Sequence, residues 1–225
     1  MPNAMTVFDR VKLALAEAFD CQLAAVAQWH QAEPGDFPEP CPAPSPDPHS
    51  GLAAFAETMI RQHLANFRLW HVEDLARLKE SGAEAVAQCK YDIDRLNQRR
   101  NDLIEGLDRC LVALLAPALP PLPDGVGAER HNTETIGSAV DRMSIFSLKI
   151  FHMEEQTRRS DVGLEHLETC CRKLDLLSEQ RRDLGKSVLD LVDEYAAGTK
   201  RPKVFYQFKM YNDPSLNPAL YGNKE

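Results

Sequence analysis

Apolar residues return every three or four positions along most of the chain, beginning with Val7, Val11, Leu15, Ala18 and Phe19, the spacing of one face of an α-helix. This period predicts helices over 5–32, 51–80, 83–115, 133–160 and 163–197. No strand-like alternation of useful length interrupts them, so the expected fold is all-α. The breaks have their own chemistry. Residues 33–50, EPGDFPEPCPAPSPDPHS, hold seven of the fifteen prolines and predict an irregular surface loop. Ser81-Gly82 and the stretch PALPPLPDGVG end the second and third helices, and Thr133 and Glu134 open the fourth. The expected organisation is an N-terminal helix (1–32), a proline-rich loop (33–50), a helical bundle (51–200) and an aromatic C-terminal tail (201–225). The tail has five of the fourteen Phe and Tyr residues in its 25 positions, a density that predicts packing on the bundle. It would act as a clasp, or as a lid bringing Lys209, Tyr211 or Asn212 to a pocket.

The same pattern occurs twice. Shifted by 81 residues, 61–103 falls on 142–184 with twelve identities in 43 positions, among them Arg61/Arg142, His71/His152, Glu73/Glu154, Arg77/Arg158, Gly82/Gly163 and Arg100/Arg181. Two readings are open, a chance likeness of two amphipathic hairpins or an internal repeat. A repeat makes the bundle two long αα-hairpins related by a pseudo-twofold axis.

Charge and composition narrow the function classes. With 26 Lys and Arg against 34 Asp and Glu, the net charge is −8. That balance argues against a nucleic-acid partner, which clustered cations would attract, but leaves room for a local cationic pocket. No run of 18 apolar residues exists, so no membrane span is expected. Asp9, Arg10, Lys12 and Glu17 interrupt any signal-peptide core and predict a cytoplasmic protein. The six cysteines form no C-x-x-C pair and read as reduced thiols. Nothing in the sequence fixes the oligomeric state, and a homo-oligomer is one option.

Candidate chemistry lies on the second and fourth helices. At about 100° per residue, His63, Asn66, Phe67, Trp70, His71, Glu73, Asp74 and Arg77 share one half of the second helix. If its aromatics point inward, so do several ionisable groups, and buried charge needs a partner, a ligand or a metal. The fourth helix has Arg142, Lys149, His152, Glu154, Glu155 and Arg158 in similar positions. Three roles follow. In the leading reading, Asn66, Arg77, Arg100, Asn101, Arg142 and Lys149 hold a small anionic ligand, because Arg and Lys pair with phosphate or carboxylate. His71 or His152 serves as general acid or base, oriented by Glu73 or Glu154. In a second reading the same residues form structural ion networks of a noncatalytic interaction or scaffold protein. In a third, His71/Asp74 and His152/Glu155, each spaced i, i+3, converge on a divalent metal of a hydrolase. Glu105 and Asp108 on the third helix have the same spacing, suited to a cation or to a solvated face.

The stretches NFRLWHVEDLAR, DIDRLNQRRNDLIEGLD, NTETIGSAVDRMSIFSLKIFHM and FKMYNDPSLNPALYG together resemble a bacterial family, domain of unknown function 4254. The resemblance covers about 61–222 and leaves the first 50 residues outside. Its characteristic polar positions include Asn66, His71, Glu73, Asp74, Arg77, Arg100, Asn101, Arg142, Lys149 and His152 here. It implies no particular reaction. Members are often encoded near surface-polysaccharide glycosyltransferases, which makes a sugar phosphate or nucleotide sugar the expected class of anion.

Overall fold

The computed structural model describes residues 5–78, 82–121, 130–210 and 213–221. Ser81, the 122–127 part of the proline break and the Tyr211-Asn212 pair lie outside them. Among the described residues the chain is helical with no strand. The long helices are α1 (Val7–Trp29), α2 (Pro48–Ala76), α3 (Ala83–Leu115), α4 (Ile136–Thr157) and α5 (Leu164–Ala196), followed by a short α6 (Pro218–Tyr221). None is long and apolar enough to cross a membrane.

Local chemistry explains the boundaries. Thr6 and Asp9 cap α1 reciprocally: the Thr6 hydroxyl accepts from the Asp9 amide, and the Asp9 carboxylate accepts from the Thr6 amide. α2 starts at Pro48, inside the stretch expected to be irregular. Proline suits a helix's first position because its missing N–H would have no partner there, and Asp47 caps the exposed amides of His49 and Ser50. α5 ends where Gly198 takes φ +73°, a left-handed conformation that glycine adopts without a side-chain clash.

α2 packs on α3 and α4 on α5 as two antiparallel hairpins, and α1 lies against α2, α4 and α5. The main core brings together Leu15 and Phe19 of α1, Phe55 and Met59 of α2, Leu107 and Leu111 of α3, Val140 and Met143 of α4, and Val188 and Val192 of α5. At Gly137 a Cβ would come 2.5 Å from the Ile104 carbonyl oxygen. Only glycine lets α3 and α4 approach this closely, and buried Asp108 uses the approach to accept a 2.8 Å hydrogen bond from the Gly137 amide. The hairpins also match in their limits: the 81-residue shift carries Ala83 and Leu115 onto Leu164 and Ala196, and Ala76 onto Thr157.

The tail begins on the bundle. Arg201 is buried, its amide donates to the Arg130 carbonyl, and the Gln207 amide donates to Glu105. Phe205, Tyr206 and Phe208, the tail's rings among the described side chains, are exposed, however.

A histidine triad above a buried polar layer

α1, α2 and α4 run parallel and in register, and each presents the same three levels at successive i, i+4 steps, about 6 Å per step. The first level is polar: Gln22, His63 and Ser144. The next is apolar: Val26, Phe67 and Leu148, which form a second small core with Leu64. The third is His30, His71 and His152. Contacts fix this register, since His63 bonds to residues of both neighbours in the first level and the three imidazoles meet in the third.

The polar level is internally satisfied at its centre. The Gln22 carbonyl, 3.0 Å from His63 Nε2, can only accept, so Nε2 carries the proton. Nδ1 then accepts from the Ser144 hydroxyl at 2.7 Å, and Ser144 Oγ accepts from Asn66 at 3.0 Å. Burial pushes the His63 pKa down to about 4, so this imidazole is neutral and structural. Asp141 continues the layer. It accepts from Gln62, from Asn66, and from Arg100 through two bonds of 2.7 and 2.5 Å, the fork geometry of a charge-assisted pair.

The histidine level differs. One ring nitrogen from each of His30, His71 and His152 lies within 4.8 Å of the others. His30 is the C-cap of α1 and donates Nδ1–H to the Val26 carbonyl at 2.7 Å. His152 pairs Nδ1 with the Glu155 carboxylate at 2.8 Å. Both acceptors fix the tautomer and leave the Nε2 lone pair pointing away from the helix backbone. Nε2 of His152 is buried and has no hydrogen-bond partner. His71 has its pKa lowered, first by burial and then by the two neighbouring imidazoles, against the pull of Asp74 and Glu33. Aromatic rings hold the set: His30 stacks on Phe151 at 4.3 Å and His152 on Trp70 at 5.0 Å, with Phe67 edge-on to His71.

Three imidazoles, two of them backed by a carbonyl or a carboxylate, are a donor set for zinc or a similar divalent transition metal. In a tetrahedral site the nitrogens stand roughly 3.3 Å apart.

On the other side of Trp70 lies a cleft of about 420 Å³ between α2, α3 and α4, lined by Asn66, Trp70, Glu73, Asp74, Arg77, Asn97 and Arg100. This gathers five of the predicted residues besides the histidines, with Asn66 and Arg100 anchored in the polar layer. Its cations already have carboxylates: Arg77 is 2.9 Å from Glu73 and Arg100 is paired with Asp141. The remaining predicted residues are elsewhere. Arg142 pairs with Glu134 and Glu154 with Arg158. Lys149 lines a separate groove between α4 and α5. Asn101, on α3, is not part of the cleft lining. Of the proposed metal set, His71 and His152 meet, Glu155 sits behind His152, and Asp74 lines the cleft. Asp108 accepts from the α4 amide as a buried acceptor, and Glu105 contacts the tail.

The third histidine, His30, was not anticipated because it lies outside the two hairpins. A signal was present: of seven histidines, only His30, His71 and His152 directly follow an aromatic residue, as Trp29-His30, Trp70-His71 and Phe151-His152.

Residues 56–204 match the family described as Protein of unknown function (DUF4254). Comparison with curated proteins and with solved structures gave no match.

Proposed function

Given that the chain belongs to the family of proteins of unknown function DUF4254, we propose that it binds one divalent transition metal on His30, His71 and His152 and uses it to hydrolyse a small anionic metabolite, a sugar phosphate or nucleotide sugar, in the adjoining cleft. The observation that carries this reading is the meeting of three imidazoles from three helices with a buried, unpartnered Nε2 on His152. In the level two turns below, both ring nitrogens of His63 have partners, whereas Nε2 of His152 has none. Three protein ligands leave a position open for water or substrate.

A metal held there supplies Lewis-acid polarisation of a phosphoryl oxygen. The chain's own residues do the rest. Trp70 belongs to both places, lining the cleft while stacked on His152. Asp74 does so electrostatically, lining the cleft while its charge acts on His71. In this account Asp74 accepts the proton of the attacking water as the phosphoester P–O bond breaks and returns it to the leaving oxygen, and Arg77 exchanges Glu73 for the substrate anion. Arg100, fixed by Asp141, presents its remaining N–H edge, and Asn97 offers a neutral amide.

The test is phosphate or sugar release by the zinc- or manganese-loaded full chain across a panel of sugar phosphates and nucleotide sugars. Turnover abolished by a chelator and lowered about 10²–10⁴-fold in Asp74→Asn is expected. No turnover, or equal turnover in Asp74→Asn, overturns the hydrolytic role.

A further inference from the structure

Several recesses in the bundle carry cations, and three of them differ in how those cations are paired. In the α2–α3–α4 cleft, Arg77 and Arg100 face carboxylates. Beneath the proline-rich loop, Arg61, Arg68, Arg95 and Arg99 pair with Glu57, Glu33, Asp92 and Glu39. The third recess is a groove of about 470 Å³ between α4 and α5, lined by Trp70, Met153, Leu176 and Leu177 along its apolar surface and by Lys149 and Lys173. Neither lysine has a carboxylate within ion-pairing distance among the described residues. Lys149 leans over the Phe146 ring at 6.0 Å, and no ion pair is formed by Lys173. Leu176 is half exposed, so apolar surface and two unneutralised cations lie open together on a chain whose net charge is −8.

We propose that this groove binds an amphipathic anion, an aliphatic chain ending in a phosphate or carboxylate head. The occupant follows from charge and shape. Met and Leu side chains provide a flexible apolar wall suited to an alkyl chain, and the volume is that of a small-molecule site. Lysine ammonium groups are point charges that accept either head group. Lys149 and Lys173 stand on facing helices, so one head group is reached from both sides. Apolar surface bordered by two cations complements a ligand that is apolar at one end and anionic at the other. His152, a ligand in the metal reading, also lines this groove, but the two lysines hold the head group, so the proposal does not rest on that reading.

Calorimetric titration of the full chain with octyl phosphate, octanoate, octyl glucoside and inorganic phosphate tests it. Octyl phosphate or octanoate is expected to bind at least about tenfold more tightly than octyl glucoside or inorganic phosphate. Shortening the bound anion from octyl to hexyl weakens it roughly tenfold. The Lys149→Gln/Lys173→Gln variant loses about tenfold or more for the anionic amphiphile and nothing for octyl glucoside, whereas Leu176→Ser weakens both. All three positions are solvent-accessible, so the variants fold. Equal binding of octyl phosphate by wild type and the double lysine variant overturns the proposal. So does binding only to phosphatidylglycerol vesicles and to no free amphiphile, which assigns the face to a membrane. A dimer that Leu176→Ser dissociates, with no binding of either octyl anion, identifies a second copy as the occupant and overturns it too.

Discussion

The cleft and the histidine triad share Trp70 but treat their polar groups in opposite ways. In the cleft, each arginine that sequence reasoning assigned to a ligand already has a carboxylate, and Asp141 accepts from Arg100, Gln62 and Asn66 at once. In the triad, two imidazoles are braced from behind, one nitrogen from each of the three rings lies within 4.8 Å of the others, and Nε2 of His152 is buried without a partner. A residue's type indicates what it can bind; whether a partner from the same chain already occupies it decides whether it is available. By that criterion the cleft arginines are already committed to partners from the same chain, and under the proposed function the triad is the place where a new bond forms.

The sharpest way to break the comparison is to remove the bracing. Asp141→Ala strands the Arg100 guanidinium, and losing one member of a buried pair costs about 3–5 kcal/mol. Urea unfolding should report it as a fall in midpoint. A loss below about 1 kcal/mol would mean that Arg100 turns to solvent easily and was never committed to its partner.

The next effect concerns pH. Burial raises the Asp108 pKa to about 6 and lowers that of His63 to about 4. The native state therefore binds the Asp108 proton more tightly than the unfolded chain, a contribution complete below about pH 3.8 and lost as pH rises through 6. His63 has the opposite sign: its neutral form is favoured in the native state, so stability is lost as pH falls from about 6.5 to 4. Each is worth on the order of 3 kcal/mol at most, and in the wild type they largely cancel between pH 4 and 6.5. Asp108→Asn should expose a stability that declines towards pH 4, and His63→Gln one that rises. Two variants with the same slope as wild type in denaturation curves at several pH values would refute the assignment.

The smallest effect belongs to the surface. Arg77→Gln removes a solvent-exposed pair with Glu73 and should change stability by roughly 0–1 kcal/mol, measured in the same urea series. A larger loss would place Arg77 in the bracing network.

The helices and their order were legible because their apolar spacing is regular and their ends carry caps. α3 matches its predicted limits, whereas α2 ends earlier than expected, at Ala76, and starts earlier because proline at position 48, read as a breaker, is also a favoured first helical residue. His71 and His152 were legible as a pair from their shared position in the two hairpins. His30 was not, because registry between α1 and the hairpins is a tertiary property that no period within one helix encodes. The pairing of the cations was equally hidden: Arg100 and Asp141 are on different helices, 41 residues apart. Helical periodicity places charges on faces, and only packing decides which of them neutralise each other.

The central claim is tested most directly by titrating zinc into metal-free full-length protein by calorimetry, alongside His30→Ala. The account predicts one ion per chain in the wild type and an affinity at least about 100-fold lower in His30→Ala, equivalent to roughly 2.7 kcal/mol. Absence of stoichiometric binding by the wild type, or equal affinity in His30→Ala, would contradict it.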